Sequence, residues 1–182
     1  MMEKLPSAYK QVGPNRYREA YGLFYEDFTP GDVFEHRPGR TLTETDNIYM
    51  TLLAMNTHPL HFDSAYANAT QWKRPLMNSL VTISVVTGMS VHSTSQNAVA
   101  NLGWDKVRLV NPVFAGDTLY AETKVVSKRE SESRPTQGLV TVHTVGMKTD
   151  GQTGQAGIVV IEFDRTFLVY KREHSPLGNA NY

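Results

Sequence analysis

Residues 76–91, LMNSLVTISVVTGMSV, are the most apolar helical segment of this 182-residue sequence. Polar or small residues interrupt the run at Asn78, Ser79, Ser84 and Gly88. The run is also shorter than the roughly 20 apolar residues that a helix needs to cross a bilayer. The segment therefore predicts a helix of the protein core.

We predict that this helix extends from about Pro75 to Ser95. Pro75 suits the first helical turn, because an N–H group at that position would have no partner within the helix. Apolar residues recur at helical spacing along one face, and most other positions carry small side chains. A helix of this composition can lie close against a sheet.

Strand patterns dominate the sequence after Asn101. They occupy residues 106–114, 118–131, 138–149 and 157–170. In the second strand, Leu119, Ala121 and Val125 alternate with polar residues, which indicates one covered and one wetter face. The intervening stretches RPTQG and TDGQTGQAG are typical of hairpin loops. Helices followed by long antiparallel strands predict an α+β domain whose sheet covers the long helix.

The remaining segments are shorter and more polar. We interpret residues 1–22 as a surface lead-in with at most one helical turn, and 171–182 as a tail of the same single domain, 1–182. Residues 32–46 suit two short strands or arms around the turn signal RPGR. Asp46 then looks like the cap of a short helix over residues 47–55. The phrase NPVFAGD, 111–117, reads as a structural bend between strands.

Composition excludes several classes of protein. Eighteen basic and 18 acidic residues cancel, so no global field attracts nucleic acid or a membrane surface. The absence of cysteine excludes thiolate catalysis and a disulfide framework. The charged, turn-rich start lacks the apolar stretch of a signal peptide, so we expect a cytoplasmic protein.

The loop NTHPLHFD, residues 56–63, concentrates the candidate chemistry. Its two histidines flank Pro59, so they do not share a regular helical face, and no downstream cluster supplies further ligands. We therefore predict no metal site. Asp63 precedes a short helical stretch, SAYANAT, and suits its N-cap.

Three motifs resemble, in order and spacing, the MaoC-like (R)-specific enoyl-CoA hydratases and dehydratases of the hotdog fold. They are NTHPLHFDSAYA (56–67), KRPLMNSLVTISVVTG (73–88) and NPVFAGDTLYAETKVV (111–126). The resemblance covers about residues 23–170 and implies an α+β hotdog fold, an antiparallel sheet wrapped around one long helix. It also implies an acyl-CoA substrate, a homodimer or higher homo-oligomer, and no cofactor beyond the coenzyme A of the substrate.

The family motif is an Asp, one residue, an Asn, a Pro, an aliphatic residue and a His. By this resemblance His61 occupies the catalytic histidine position, with Pro59 and Leu60 as framework. Asn56 stands where the motif has Asp, and His58 where it has Asn. An amide cannot take a proton at neutral pH, so we assign the acid/base role to His61 and water binding to Asn56. The Asn-Thr pair before Pro-Leu-His resembles the mesaconyl-CoA and itaconyl-CoA hydratase branch.

Enoyl-CoA hydration also needs donors for the thioester oxygen and cations for the coenzyme A phosphates. Free N–H groups in the first turn of the long helix suit the first task, and we place them at Met77, Asn78 and Ser79. Candidate cations flank that helix: Lys73, Arg74, Lys106 and Arg108. Arg74 or Arg40 would pair with a second carboxylate if the substrate carries one.

Two roles and three functions stay open at this point. His58 suits an active role or a loop cap equally, and Asp63 a cap or a share in proton transfer. The leading function is a hydro-lyase acting on a 2-enoyl-CoA or 3-hydroxyacyl-CoA. The alternatives are a hotdog acyl-CoA thioesterase, for which Asp63 supplies the carboxylate, and a non-catalytic acyl-CoA-binding protein.

Overall fold

The computed structural model describes residues 8–176. Its strands are β1 Tyr9–Gly13, β2 Arg16–Glu19, β3 Val33–Thr41, β4 Ala98–Leu109, β5 Thr118–Glu130, β6 Gln137–Thr149 and β7 Ile158–Tyr170. Its α-helices are α1 Glu44–Leu53, α2 Ser64–Ala69 and α3 Ser79–Ser90, and the last continues as a π-helix over Val91–Ser95. Short 3-10 helices cover Tyr25–Asp27, Pro59–His61 and Arg172–His174.

Five strands form one antiparallel sheet in the order β3-β5-β6-β7-β4. The side chains of Leu119, Ala121 and Val125 on β5 are at most 1% exposed, so the predicted covered face is confirmed. Helix α3 packs on that face, with Val81 and Val86 in the same core as Leu119 and Ala121. The α+β layering predicted from the order of elements is therefore confirmed. Within residues 8–176, no helix has both the length and the apolar character needed to cross a membrane.

Helix α3 packs tightly against the sheet at Gly146 on β6. A Cβ added there would lie 2.7 Å from a methyl carbon of Val86 on α3 and 2.7 Å from one of Ile161 on β7. Both neighbours are fully buried and have no room to withdraw. The glycine thus sets the distance between helix and sheet.

Gly146→Ala is expected to lower the free energy of unfolding by about 1–3 kcal/mol, because the new methyl group overpacks the core. Gly103→Ala on β4 is the matched control, since its Cβ would meet nothing within 4 Å. Urea denaturation of both variants measures the difference. An unchanged stability in Gly146→Ala would show that α3 can shift away from the sheet without cost.

The long helix begins at Ser79, so the predicted start at Pro75 is wrong. Asn78 is the N-cap, and its side-chain oxygen accepts a hydrogen bond from Leu80 N–H at 2.9 Å. The preceding segment is held in a non-helical conformation, because Met77 N–H donates to the Val113 carbonyl at 2.9 Å. The predicted end at Ser95 coincides with the end of the π-helix.

Three other predictions at the N-terminal side need correction. Within the described part of the predicted lead-in, β1 and β2 pair as a hairpin, with Asn15 in the left-handed region at φ 53°; residues 1–7 and 177–182 lie outside the described residues. The stretch RPGR is a register shift inside one strand, β3, and not a turn between two. Helix α1 is capped by Thr43, and Asp46 completes that capping box from the third helical position.

The bend NPVFAGD is structural, as predicted. Asp117 accepts hydrogen bonds from Phe114 N–H at 3.0 Å and from Gly151 N–H at 2.9 Å. Its charge is paired with Lys148, whose Nζ lies 2.7 Å from Asp117 Oδ2. Both side chains are at least 95% buried, so this ion pair fixes the bend to the end of β6, and the Gly151 hydrogen bond fixes it to the loop that follows.

His36 is the most deeply buried histidine among the described residues. Its Nδ1 lies 2.8 Å from Ser93 Oγ and its Nε2 lies 2.7 Å from Thr123 Oγ1. Burial, followed by the charges of Arg165 and Arg37, lowers the pKa of His36 to about 4. The folded protein therefore holds this imidazole neutral where an unfolded chain would protonate it.

We expect stability to fall as the pH drops below about 6.5, because His36 then binds a proton in the unfolded chain but not in the folded one. Between pH 6.5 and 5 the loss is roughly 2 kcal/mol from this group. Urea denaturation at both pH values, for the wild type and His36→Gln, tests this. Gln keeps hydrogen-bonding groups without a titrating ring. An equal loss of unfolding free energy between pH 6.5 and 5 in the two proteins would show that His36 is not the group responsible.

Candidate active site

The histidine loop is folded tightly by its own side chains. Residues Pro59–His61 form a 3-10 helix, whose N-cap His58 accepts a hydrogen bond from Leu60 N–H through Nδ1 at 3.1 Å. Asn56 Oδ1 accepts from His58 N–H at 3.1 Å. Proline presets the helical φ at the first position of this turn, and the ring of His61 at its end contacts the segment that precedes α3.

The ring of His61 is oriented by a backbone carbonyl. His61 Nδ1 lies 2.9 Å from the carbonyl oxygen of Leu76. A carbonyl oxygen only accepts hydrogen bonds, so Nδ1 carries the proton and Nε2 of the neutral ring keeps a free lone pair. The side chain is half-buried, which leaves Nε2 the atom that can take a proton from a bound water.

Asn47 on α1 links the histidine loop to the start of α3. Its Nδ2 donates to the carbonyl oxygens of His61, at 2.7 Å, and Leu76, at 3.0 Å. Its Oδ1 accepts from Asn78 N–H at 2.7 Å. One turn further, Thr51 Oγ1 accepts from Asn78 Nδ2 at 3.2 Å. Asn47 is 3% exposed, so a single buried amide positions both the imidazole and the helix start.

The helix start offers fewer free donors than predicted. Met77 N–H donates to Val113 and Asn78 N–H to Asn47, so these two predicted thioester donors are already used within the chain. Leu80 N–H is capped by Asn78. Ser79 N–H has no acceptor among residues 8–176, and Ser79 is exposed at the positive end of α3. Of the three candidates, the structure leaves the amide of Ser79 available.

The other acidic and polar loop residues take mainly structural positions. His58 is exposed and serves as a cap, the structural alternative that the sequence left open. Asp63 Oδ1 caps α2 by accepting from Tyr66 N–H at 3.0 Å, which confirms its predicted cap. Asn56 retains a free Nδ2, which finds no acceptor in the described part of the chain. A role for Asn56 or His58 in catalysis stays a prediction.

The predicted cations fall into two groups. Lys106 and Arg108 lie on the face of the sheet opposite α3, paired with Asp164 at 2.8 Å and Glu162 at 3.7 Å. Together with His143, Glu162 and Asp164 they line a charged surface pocket to which no residue of the helix start contributes. The structure does not bring them together with His61, and their binding of coenzyme A stays a prediction.

The second group lies on the segment before α3. Lys73 is exposed, and its Nζ donates to the Asn68 carbonyl at 3.4 Å. Arg74 is half-buried, with its guanidinium carbon 3.9 Å from the centre of the Phe114 ring. Arg40, on β3, is bound by Asp46. Arg74 therefore differs from the other predicted cations in having an aromatic partner and, within residues 8–176, no polar one.

An apolar groove lies beside the site, between α1 and α3. It has a volume of about 530 Å³ and is lined by residues such as Met50, Val81 and Val85. His61 does not line it. Sequence reasoning missed both this groove and Asn47, because each depends on how α1 packs against α3. The one available signal was polar Asn47 and Thr51 at i, i+4 spacing within an otherwise apolar helix pattern.

Comparison with known proteins identifies the domain type. A family model described as MaoC like domain matches residues 27–147. The chain is 35% identical to the beta-methylmalyl-CoA dehydratase of Chloroflexus aurantiacus over 152 residues, 84% of this chain and 41% of that protein. It is 32% identical to the mesaconyl-CoA hydratase of Cereibacter sphaeroides over 84% of this chain and 42% of that protein. The chain thus spans less than half the length of these relatives.

The fold has a solved counterpart in a conserved hypothetical protein of Mycobacterium tuberculosis, which is described as having a double hotdog fold. The two chains superpose with a TM-score of 0.72 at 26% identity, over 84% of this chain and 46% of that one. The predicted hotdog fold is confirmed, and this chain corresponds to one of its units.

Proposed function

Because this chain belongs to the family of MaoC-like domains, we propose that it is a hydro-lyase adding water to a 2-enoyl-CoA or removing it from a 3-hydroxyacyl-CoA. The observation that carries the proposal is the hydrogen bond from His61 Nδ1 to the Leu76 carbonyl, which leaves Nε2 as a base. The named activities of the relatives support the same class of reaction.

In the proposed reaction, His61 Nε2 takes a proton from water as the oxygen bonds to the β-carbon. The electron pair of the double bond moves towards the thioester carbonyl, and the developing enolate oxygen accepts a hydrogen bond from Ser79 N–H. The imidazolium then returns its proton to the α-carbon, so one ring serves both steps. Asn56 Nδ2, free on the same loop, holds the water without taking its proton.

We propose mesaconyl-CoA and related branched or dicarboxylic thioesters as substrates, because two relatives are named for them. The assay incubates the protein with crotonyl-CoA, mesaconyl-CoA and itaconyl-CoA, following loss of the enoyl absorbance and release of free thiol separately. Loss of absorbance without thiol supports hydration. Thiol release would instead identify a thioesterase. If neither signal appeared, acyl-CoA binding without catalysis would be the remaining function.

The geometry favours hydration over thioester hydrolysis. A hotdog thioesterase would need a carboxylate as its base or nucleophile, and Asp63 is the carboxylate of this loop. One of its oxygens already caps α2. His61, by contrast, has its free ring nitrogen unengaged and its orientation fixed.

A homodimer completes the proposal. Large apolar side chains of α1 are exposed, including Leu52 at 72% and Leu53 at 69%. Such a patch marks an interaction surface, and relatives of about twice this length carry room for a second unit. Size-exclusion chromatography with light scattering tests this assembly, and a monomer at micromolar concentration would contradict it. A cytoplasmic location stays a prediction from the sequence.

A further inference from the structure

Arg74 combines three features that no other predicted site cation shares. Its guanidinium carbon lies 3.9 Å from the centre of the Phe114 ring, and Phe114 is only 7% exposed. Within residues 8–176, Arg74 makes no hydrogen bond and no ion pair. It also lies on the segment that holds His61, two residues before Leu76.

Stacking on Phe114 orients the guanidinium without using its donors. At 3.9 Å from the ring centre the cation interacts with the ring face. The N–H groups of arginine lie in the guanidinium plane, where they match the two oxygens of a carboxylate. The side chain is therefore held in place with its hydrogen-bonding edge unused.

The backbone around Arg74 connects it to Leu76, the residue whose carbonyl orients His61. Leu76 N–H donates to the Leu60 carbonyl at 3.2 Å, and Met77 N–H donates to Val113 at 2.9 Å. The segment thus runs between the histidine loop and the bend that carries Phe114. Two residues of extended chain span at most roughly 7 Å, so Arg74 begins within that distance of the residue that orients His61.

The competing arginine is already neutralised. Arg40 contacts Asp46, whose pKa is lowered by hydrogen bonds from Thr43 and by Arg40 itself, although burial opposes that shift. A second anion would have to displace this carboxylate. Arg74 has no carboxylate to displace among the described residues, so it is the better partner for a substrate anion.

We propose that Arg74 binds a free carboxylate on the acyl chain and thereby selects dicarboxylic 2-enoyl thioesters over monocarboxylic ones. This inference rests on the proposed hydro-lyase function. In mesaconyl-CoA, a substrate of this class, the carboxylate is attached to the β-carbon, the atom that receives the oxygen of the water at His61. A cation next to the histidine loop therefore lies near this carboxylate when the β-carbon is positioned for attack by the water.

The test compares two thioesters that differ in one group. In mesaconyl-CoA the β-carbon carries a carboxylate, and in 2-methylcrotonyl-CoA a methyl group replaces it. Arg74→Met keeps an unbranched apolar side chain against Phe114 and removes the charge. We expect kcat/KM for mesaconyl-CoA to fall roughly 100-fold, the effect of losing hydrogen bonds to a charged group. For 2-methylcrotonyl-CoA we expect a change below about threefold.

Two further variants separate binding from folding. Arg74→Lys keeps the charge but loses the paired N–H donors of the guanidinium, so an intermediate loss of kcat/KM for mesaconyl-CoA is expected. Arg37→Met is the matched control, because Arg37 also lies over an aromatic ring, 5.2 Å from the centre of Tyr120. A loss on mesaconyl-CoA in Arg37→Met as large as in Arg74→Met would overturn the inference.

The coenzyme A phosphates are the other possible anion. Mesaconyl-pantetheine thioester, which lacks the adenosine phosphates, distinguishes them: a loss in Arg74→Met with both coenzyme A esters but not with the pantetheine ester would overturn the carboxylate assignment. Calorimetric Kd values for both coenzyme A esters test the inference independently of turnover. If no ester is hydrated, the proposed function fails. Arg74 would still be supported as the carboxylate ligand if Arg74→Met bound mesaconyl-CoA more weakly but 2-methylcrotonyl-CoA as before.

Discussion

His61→Ala is expected to lower kcat for enoyl-CoA hydration by about 10³-fold, because the reaction loses its general base. Stability should change little, since the side chain is half-buried and its one hydrogen bond goes to a carbonyl that Asn47 also satisfies. Turnover of mesaconyl-CoA and urea denaturation of the same preparation measure the two effects. Added imidazole should restore part of the rate, because it supplies a ring nitrogen to the space left by the side chain.

His58→Asn is the matched comparison for this prediction. Asparagine is a good N-cap, so it replaces the hydrogen bond that His58 Nδ1 accepts from Leu60 N–H. We expect activity within about threefold of the wild type if His58 is only a cap. A loss in His58→Asn as large as in His61→Ala would place proton transfer on both rings, and full activity in His61→Ala would remove the proposed base.

Asn47→Asp is expected to lower kcat by about 100-fold, because a displacement of about 1 Å in a reacting group has an effect of this size. The carboxylate still accepts from Asn78 N–H but faces the carbonyl oxygens of His61 and Leu76, to which the amide donated. The free energy of unfolding should fall by about 1–3 kcal/mol, since these buried acceptors lose a donor. KM should change less than kcat, because Asn47 contacts no proposed substrate group.

Asn68→Asp serves as the control for this variant, since Asn68 is an exposed asparagine on the neighbouring helix α2. It introduces the same charge without touching the loop or the helix start. Stability and kcat at the wild-type level are expected for it. Should Asn47→Asp remain folded with unchanged kcat, the link between α1 and the histidine loop would have no part in catalysis.

Local patterns predicted the elements whose determinants are local. The alternation on β5, the Asp63 cap and the histidine loop are each specified by residues within a few positions of one another. The predicted start of α3 was wrong because two local signals, Pro75 and Asn78, each suit a helix start. Pro75 suits a first turn, but the side chain of Asn78 caps the helix and a long-range hydrogen bond from Met77 to Val113 holds the preceding segment extended.

The site residues that sequence reasoning missed depend on contacts between distant segments. Asn47 is separated by 14 residues from His61 and by 31 from Asn78, the groups it joins. Its polar character on a helix does not reveal these partners. The sequence named Arg74 as a candidate cation, but its contact with the Phe114 ring could not be predicted, because it depends on the distant bend that carries Phe114. Burial and the choice of partner follow from packing, which the local pattern does not contain.

The buried ion pair between Lys148 and Asp117 restricts which substitutions the bend at residues 111–117 can accept. Changing Lys148 alone would leave the buried Asp117 carboxylate without its cation, at a penalty of roughly 3–5 kcal/mol. Changing Asp117 alone would leave Lys148 with Asp150, 3.3 Å away, as its remaining acidic partner among the described residues. An exchange for an uncharged pair is tolerable only when both positions change together. Single substitutions are therefore disfavoured in the bend that holds Phe114 against Arg74, while the loops around this bend are free to vary.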